Sequence, residues 1–130
     1  MTDTPLDLFV DLNSMDEVTL DRLAKLFRLA MLRATDLFGK NAFRKIKGIN
    51  TRRQPINKAV MEAWSVALAR LSGERFVSLQ TQKDQLLSDW IAVNNESSFF
   101  NAVSQGTGDP VKVKLRFSAV QDLIRKVLGA

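Results

Sequence analysis

Apolar residues recur along most of the chain at helical intervals, and those intervals divide it into elements. The first stripe is Leu20, Leu23, Phe27, Ala30, Met31, Ala34 and Phe38. Spaced three and four apart, these side chains line one face of a helix predicted over 15–38. Ser14 followed by Glu17 has the pattern of a capping box, in which each side chain satisfies an orphan amide at the helix start. Gly39 ends the helix, because glycine takes a left-handed conformation cheaply. A second stripe, Ile56, Ala59, Val60, Ala63, Trp64, Ala67, Leu68 and Leu71, predicts a helix with Pro55 at its first position and Gly73 at its end. Its alanines let neighbouring helices approach closely, so this helix is expected at the centre of the core. A third helix is predicted over 75–93, with Phe76, Leu79, Leu86, Leu87, Trp90 and Ile91 inside and Gln82, Lys83, Asp84 and Gln85 in water. Asn94-Asn95 break it. Ser97 or Ser98 then caps a short helix carrying Phe99, Phe100 and Val103, closed by Gly106-Thr107-Gly108.

Two segments are less direct. Val111 to Phe117 alternates like a strand, yet Asp109-Pro110 reads as an N-cap followed by proline at the first helical position. Val113, Phe117, Val120, Leu123, Ile124, Val127 and Leu128 also keep helical spacing, and no second strand stands nearby to pair. A helix over 110–128 is therefore preferred. Leu6, Leu8, Phe9, Val10 and Leu12 show no helical stripe and read as an extended arm over 1–13, packed on the bundle or docked on a partner. The expected fold is all-α: a single domain over 14–130, a compact bundle of about five helices, preceded by that arm.

Composition removes most chemistry. The 130 residues include no Cys, His or Tyr, which excludes disulfides, a thiol nucleophile, zinc held by Cys or His, and any histidine-based triad. There is no Gly-x-Gly-x-x-Gly fingerprint and no Walker-type loop. Asp16, Glu17 and Asp21 cluster where negative charge stabilises a helix start. Glu62 is expected to pair with an arginine of the preceding loop. No free-standing enzyme, cofactor or metal site is expected. No apolar run is long enough to span a bilayer. Met1 to Pro5 lacks the features of a signal peptide, and the absence of Cys fits a cytoplasmic address.

Charge sharpens the picture. Nineteen Lys and Arg against fourteen Asp and Glu give +5, but the excess is local. Residues 39–58 hold Lys40, Arg44, Lys45, Lys47, Arg52, Arg53 and Lys58 with no acid, while the rest of the chain has twelve basic and fourteen acidic side chains. The stretch reads as a loop with a short helical turn around Ala42–Ile46, Phe43 and Ile46 facing inward. Its cations could neutralise several phosphates at once, in contacts that ignore sequence and weaken with salt. Phe43 is the only aromatic residue inside it, so base stacking is not indicated. The competing reading is that Arg44, Arg52 and Arg53 bond helix C-terminal carbonyls or Glu62 and hold the loop in place.

Two ordered series of residues carry a family resemblance. The first is Phe27-Arg28-Leu29-Ala30, Leu37-Phe38-Gly39, Ala42-Phe43-Arg44 and, after a basic gap, Arg53-Gln54-Pro55-Ile56-Asn57-Lys58-Ala59-Val60-Met61-Glu62-Ala63-Trp64. The second runs Ser98-Phe99-Phe100-Asn101-Ala102-Val103-Ser104, Gly106-Thr107, then Val111 to Leu128 with Arg116-Phe117 in it. Their order and spacing resemble the C-terminal helical part of the bacterial family typified by the N-terminal domain of the GmrSD restriction system. That family pairs its helical part with a ParB/sulfiredoxin-like domain carrying an Asp-Gly-Gln-Gln-Arg-type motif, and several members act against phage DNA. The motif is absent here. The resemblance thus implies a non-catalytic helical subunit or module of a nucleic-acid-targeting, phage-defence or restriction-like assembly. Arg44, Arg53, Asn57 and Glu62 are the matching positions from which contacts to a catalytic partner or to nucleic acid are expected. The basic loop would meet DNA or RNA, and Leu6, Leu8, Phe9, Val10 and Leu12 would help dock a protein partner carrying the catalytic domain. The alternative is an assembly module that docks a separate ParB-like NTPase or nuclease without binding nucleic acid.

Overall fold

The apolar stripes converge on two tryptophans. Trp64 and Trp90 are almost wholly buried, and four rings stand edge-to-face in series: Phe38 to Trp64 at 5.0 Å, Trp64 to Trp90 at 5.2 Å, and Trp90 to Phe99 at 5.3 Å between centroids. Perpendicular rings set the positive edge of one against the negative face of the next. The computed structural model describes residues 16–49, 51–104 and 106–129. Six α-helices run through them: α1 Glu17–Phe38, α2 Lys58–Ala69, α3 Gly73–Gln80, α4 Lys83–Asn94, α5 Ser97–Ser104 and α6 Pro110–Leu128. The chain is all-α. Its only β pairing among the described residues is one antiparallel bridge, Arg44 with Ile56.

α2 is central, as its alanines predict. Ala59, Val60 and every residue from Ala63 to Leu68 are buried, between α1 on one side and α6 on the other. α6 also packs on α3, α4 and α5, through Val120, Leu123, Ile124 and Val127. It begins as expected, with the Asp109 carboxylate accepting from the Val111 amide at 2.8 Å and Pro110 in the first turn.

Helix boundaries differ from the sequence reading in four places. α1 is capped by Asp16, whose carboxylate accepts from the Thr19 amide at 2.8 Å, while Ser14 lies outside the described residues. The same amide holds the Asp16 carboxyl below its ordinary range. Within α1, Leu20 and Met31 are exposed, and Leu37 and Arg33 are buried instead. At about 1.5 Å per residue, the shorter α2 covers chiefly the C-terminal half of α1.

α2 starts at Lys58 rather than Pro55. The Asn57 amide donates to the Phe43 carbonyl at 3.0 Å, which keeps the backbone extended through the Arg44–Ile56 bridge and leaves Ile56 58% exposed. Its other end is not closed by Gly73, which opens α3 behind the cap Ser72. Arg33 takes over that role: one guanidinium nitrogen donates to the carbonyls of Leu68 and Leu71, both at 2.7 Å, and its Cζ lies 4.8 Å from the Phe76 ring centre. A cation beside the carbonyls of a helix end opposes the negative end of the helix dipole. Finally, the helix predicted over 75–93 is two helices, broken at Thr81-Gln82. Residues 80–85 are all polar, so a turn there has no core anchor, and the Thr81 hydroxyl donates to the Ser78 carbonyl at 2.7 Å.

Candidate nucleic-acid interface

The basic segment between α1 and α2 is pinned at several points. Gly39 takes φ 56° and ψ −127°, a region that suits glycine alone. A 3-10 turn at Gly39–Asn41 follows, in place of the helical turn expected around Ala42–Ile46. Phe43 has φ 62°, a conformation that costs a bulky residue about 1–3 kcal/mol. Its ring is buried, as predicted, and so is Ile46.

The asparagines that break α4 hold the loop down. The Ile46 amide donates to the Asn94 side-chain oxygen at 3.3 Å, and the buried Asn94 donates in turn to the Trp90 carbonyl at 2.7 Å. Asn95 donates to the Lys47 carbonyl at 3.2 Å. Arg44 closes the loop on itself, its Nε donating to the Lys40 carbonyl at 3.0 Å and its Nη1 to the Gln54 carbonyl at 2.6 Å.

The seven cations thus divide. Lys40, Lys47, Arg52, Arg53 and Lys58 are exposed. Arg44 is committed to loop carbonyls, and Lys45 is half-buried, donating to the Ser104 hydroxyl at 3.2 Å. No described carboxylate forms an ion pair with any of the seven. A small cavity of about 50 Å³ opens among Lys45, Arg52 and Arg53, with Asn41 and Thr51 beside them. On its other side Lys45 reaches an aromatic ring: its Nζ is 4.6 Å from the centre of Phe100, and that of Lys47 is 5.1 Å away. Burial first, and the neighbouring Lys47 charge second, pull the Lys45 ammonium below the ordinary lysine value.

Phe100 and Ser104 are the members that the sequence reading missed. A signal was present. Phe99 and Phe100 are adjacent on a helix, about 100° apart on its surface, so they point in different directions. Phe99 is buried and Phe100 is 36% exposed.

The remaining singled-out residues are mostly fasteners. Asn57 caps α2, accepting from the Val60 amide at 3.0 Å, and donates to the Val103 carbonyl of α5 at 2.9 Å. Glu62 does not meet an arginine of the preceding loop. Its partner is Arg116 of α6, at 3.3 Å. Arg116 is 3% exposed and also donates to the carbonyls of Thr107 at 2.6 Å and Ala102 at 3.3 Å. Leu6, Leu8, Phe9, Val10 and Leu12 lie outside the described residues.

Two other concavities carry charge. A pocket of about 170 Å³ at the far end of α2 is edged by Arg70, Arg75 and Arg125, but Asp122 pairs with Arg125 at 3.1 Å. A groove of about 470 Å³ between α4 and α6 has Asp89, Glu96, Asp122 and Lys126 on its walls and Val93, Leu115 and Ala119 among its apolar lining. Among the described residues no group of His, Cys, Asp or Glu could hold a metal ion, and no helix is long and apolar enough to cross a membrane. Set against protein-family models, curated proteins and solved structures, the chain matches none.

Proposed function

We propose that the protein binds the sugar–phosphate backbone of a nucleic acid through loop 40–58. In this reading it is a non-catalytic helical subunit of a nucleic-acid-targeting, restriction-like assembly, with chemistry supplied by a partner chain. The observation that carries the binding half is the set of five exposed cations, free of carboxylate partners, on a loop that is already anchored. Unpaired surface cations attract phosphate strongly at low salt, and an anchored loop gives up little further conformational freedom on binding. The assembly half is supported by the residue series described above and by the absence of a catalytic motif.

The test is binding to duplex DNA and to RNA, followed across a salt series. The triple variant K47A/R52A/R53A removes exposed cations without touching the loop-closing Arg44. It is expected to weaken binding and to lower the log–log salt slope by about 2–3, since each phosphate contact contributes about 0.9 on a duplex and 0.7 on a single strand. Unchanged affinity and slope would reject the reading.

The groove between α4 and α6 favours a second reading, an assembly module that docks a protein partner without binding nucleic acid. Three carboxylates against one lysine over an apolar lining leave the groove net acidic, even with Asp122 paired to Arg125, and suit a basic amphipathic segment. Co-purification of a partner that is lost on D89N/D122N, by a chain without nucleic-acid affinity, would select it.

A further inference from the structure

Phe100 is the only aromatic side chain among the described residues that reaches 36% exposure, and it stands where the loop's cations meet α5. Two ammonium groups lie within about 5 Å of its ring centre, with no described carboxylate paired to either. A partly exposed aromatic ring with cations beside it that lack carboxylate partners is the combination that single-stranded nucleic acid uses: bases stack while phosphates are neutralised alongside. We infer that Phe100 is a stacking platform for one base of a single strand, with Lys45 and Lys47 transferring from the ring to the flanking phosphates. The inference rests on the backbone-binding reading and adds to it a preference for unpaired bases.

A stacked base offsets the exchange. Each lysine over an exposed ring contributes about two- to fivefold to an equilibrium, so displacing both forgoes about four- to twenty-fivefold, against about five- to a hundredfold for a stacked base. The displaced ammoniums also gain phosphate partners. Lys45 gains most, because it is partly desolvated and faces Lys47 with no acid at hand. Arg52 and Arg53, which share a cavity with Lys45, continue the cationic track away from the ring. A duplex cannot use the platform without flipping a base out of its own stack.

The experiment uses the whole chain and a short oligonucleotide bearing 2-aminopurine, offered as single-stranded DNA, as single-stranded RNA and as the DNA duplex. Binding is read by anisotropy and stacking by quenching of the 2-aminopurine. The variants are F100L, F100W and R52A/R53A. Quenching is expected on wild type with single strands and with F100W, and not with F100L. F100L should lose about tenfold in single-strand affinity, stay within about twofold on the duplex, and keep its salt slope. The DNA and RNA arms show which sugar is accepted. A bound single strand that is not quenched by wild type overturns the inference, whatever the variants do to folding. So does an F100L loss that is equal on duplex and single strand and comes with a lower salt slope, because the ring would then only position the lysines. If R52A/R53A weakens binding while F100L leaves it unchanged, the platform falls and the backbone reading stands. If wild type binds neither form, both fall.

Discussion

Arg116 is the residue whose removal the structure judges most severely. Its guanidinium, 3% exposed, joins Glu62 of α2 to the carbonyls of Ala102 in α5 and Thr107 in the turn before α6. Arg116→Met keeps the unbranched apolar stem and so opens little cavity, but it deletes every donor. Removing one partner of a buried pair costs roughly 3–5 kcal/mol. The Glu62 limb must be discounted, because that side chain is 32% exposed and water can take over its carboxylate. The Ala102 carbonyl has no such relief, and a buried acceptor left bare costs about 1–3 kcal/mol; the half-buried Thr107 carbonyl adds less. The expected loss is about 3 kcal/mol, which for a chain of this size lowers Tm by about 12 °C. Glu62→Gln keeps an acceptor near Arg116 and should cost about 1 kcal/mol or less. Urea unfolding followed by circular dichroism measures both, with an unchanged m-value as the check that only stability moved. A loss below about 1 kcal/mol for R116M, or equal losses for R116M and E62Q, would show that the carbonyl contacts do not hold α5 to α6.

Two further expectations concern the loop. Asn57→Ala removes the cap of α2 and leaves the Val103 carbonyl without its donor, for a loss of about 2 kcal/mol in urea unfolding; Asn57→Asp keeps the cap and should fall between alanine and wild type. Lys45 carries a pH signature with opposite signs for binding and folding. Its ammonium loses its proton in the folded chain at a lower pH than the ordinary lysine value of 10.5. Oligonucleotide affinity should therefore begin to fall below pH 10.5 in wild type but not through this group in K45M. Over the same window the unfolded chain binds more protons, so this group's contribution to folding stability rises with pH. A titration of affinity in which wild type and K45M run parallel would remove Lys45 from the interface.

The helices were legible wherever an apolar stripe coincided with a local stop signal. α6 carried both, with Asp109-Pro110 at one end and an unbroken stripe behind it, and its alternation at 111–117 did not mislead because nothing stood nearby to pair with a strand. Where the stop is tertiary, the sequence has no local mark for it. The end of α2 is held by Arg33, more than thirty residues upstream, which donates to the carbonyls of Leu68 and, just past the helix, Leu71, and Gly73 only resembles the stop. α2 begins late because the Phe43 carbonyl holds the Asn57 amide, a contact across the loop that spacing cannot reveal. The break at Thr81-Gln82 was readable in retrospect, since six consecutive polar residues leave a helical turn without an anchor.

The site was legible in its charge and hidden in its geometry. Seven cations in one acid-free stretch mark the segment, but the count treats them as equals, and folding sorts them. Arg44 fixes the loop, though through loop carbonyls rather than the helix C-terminal carbonyls or Glu62 that were expected, while Arg52 and Arg53 are exposed and bond no helix carbonyl or Glu62 among the described residues. The positions behind the family resemblance sort the same way: Asn57, Glu62 and Arg44 tie elements together, and Arg53 alone of the four is exposed. A residue pattern of this kind reports the scaffold more than the surface, because a fastener needs a specific side chain and an exposed phosphate contact accepts any cation. Base stacking drops out of a linear reading for the same reason. Phe43, the only aromatic residue within the segment, points into the core, and Phe100 arrives from α5 only once Asn94 and Asn95 have drawn the loop across it. Charge is a property of the segment and can be counted. The platform is a property of two segments meeting, and its first trace in the sequence is a pair of adjacent phenylalanines that point in different directions.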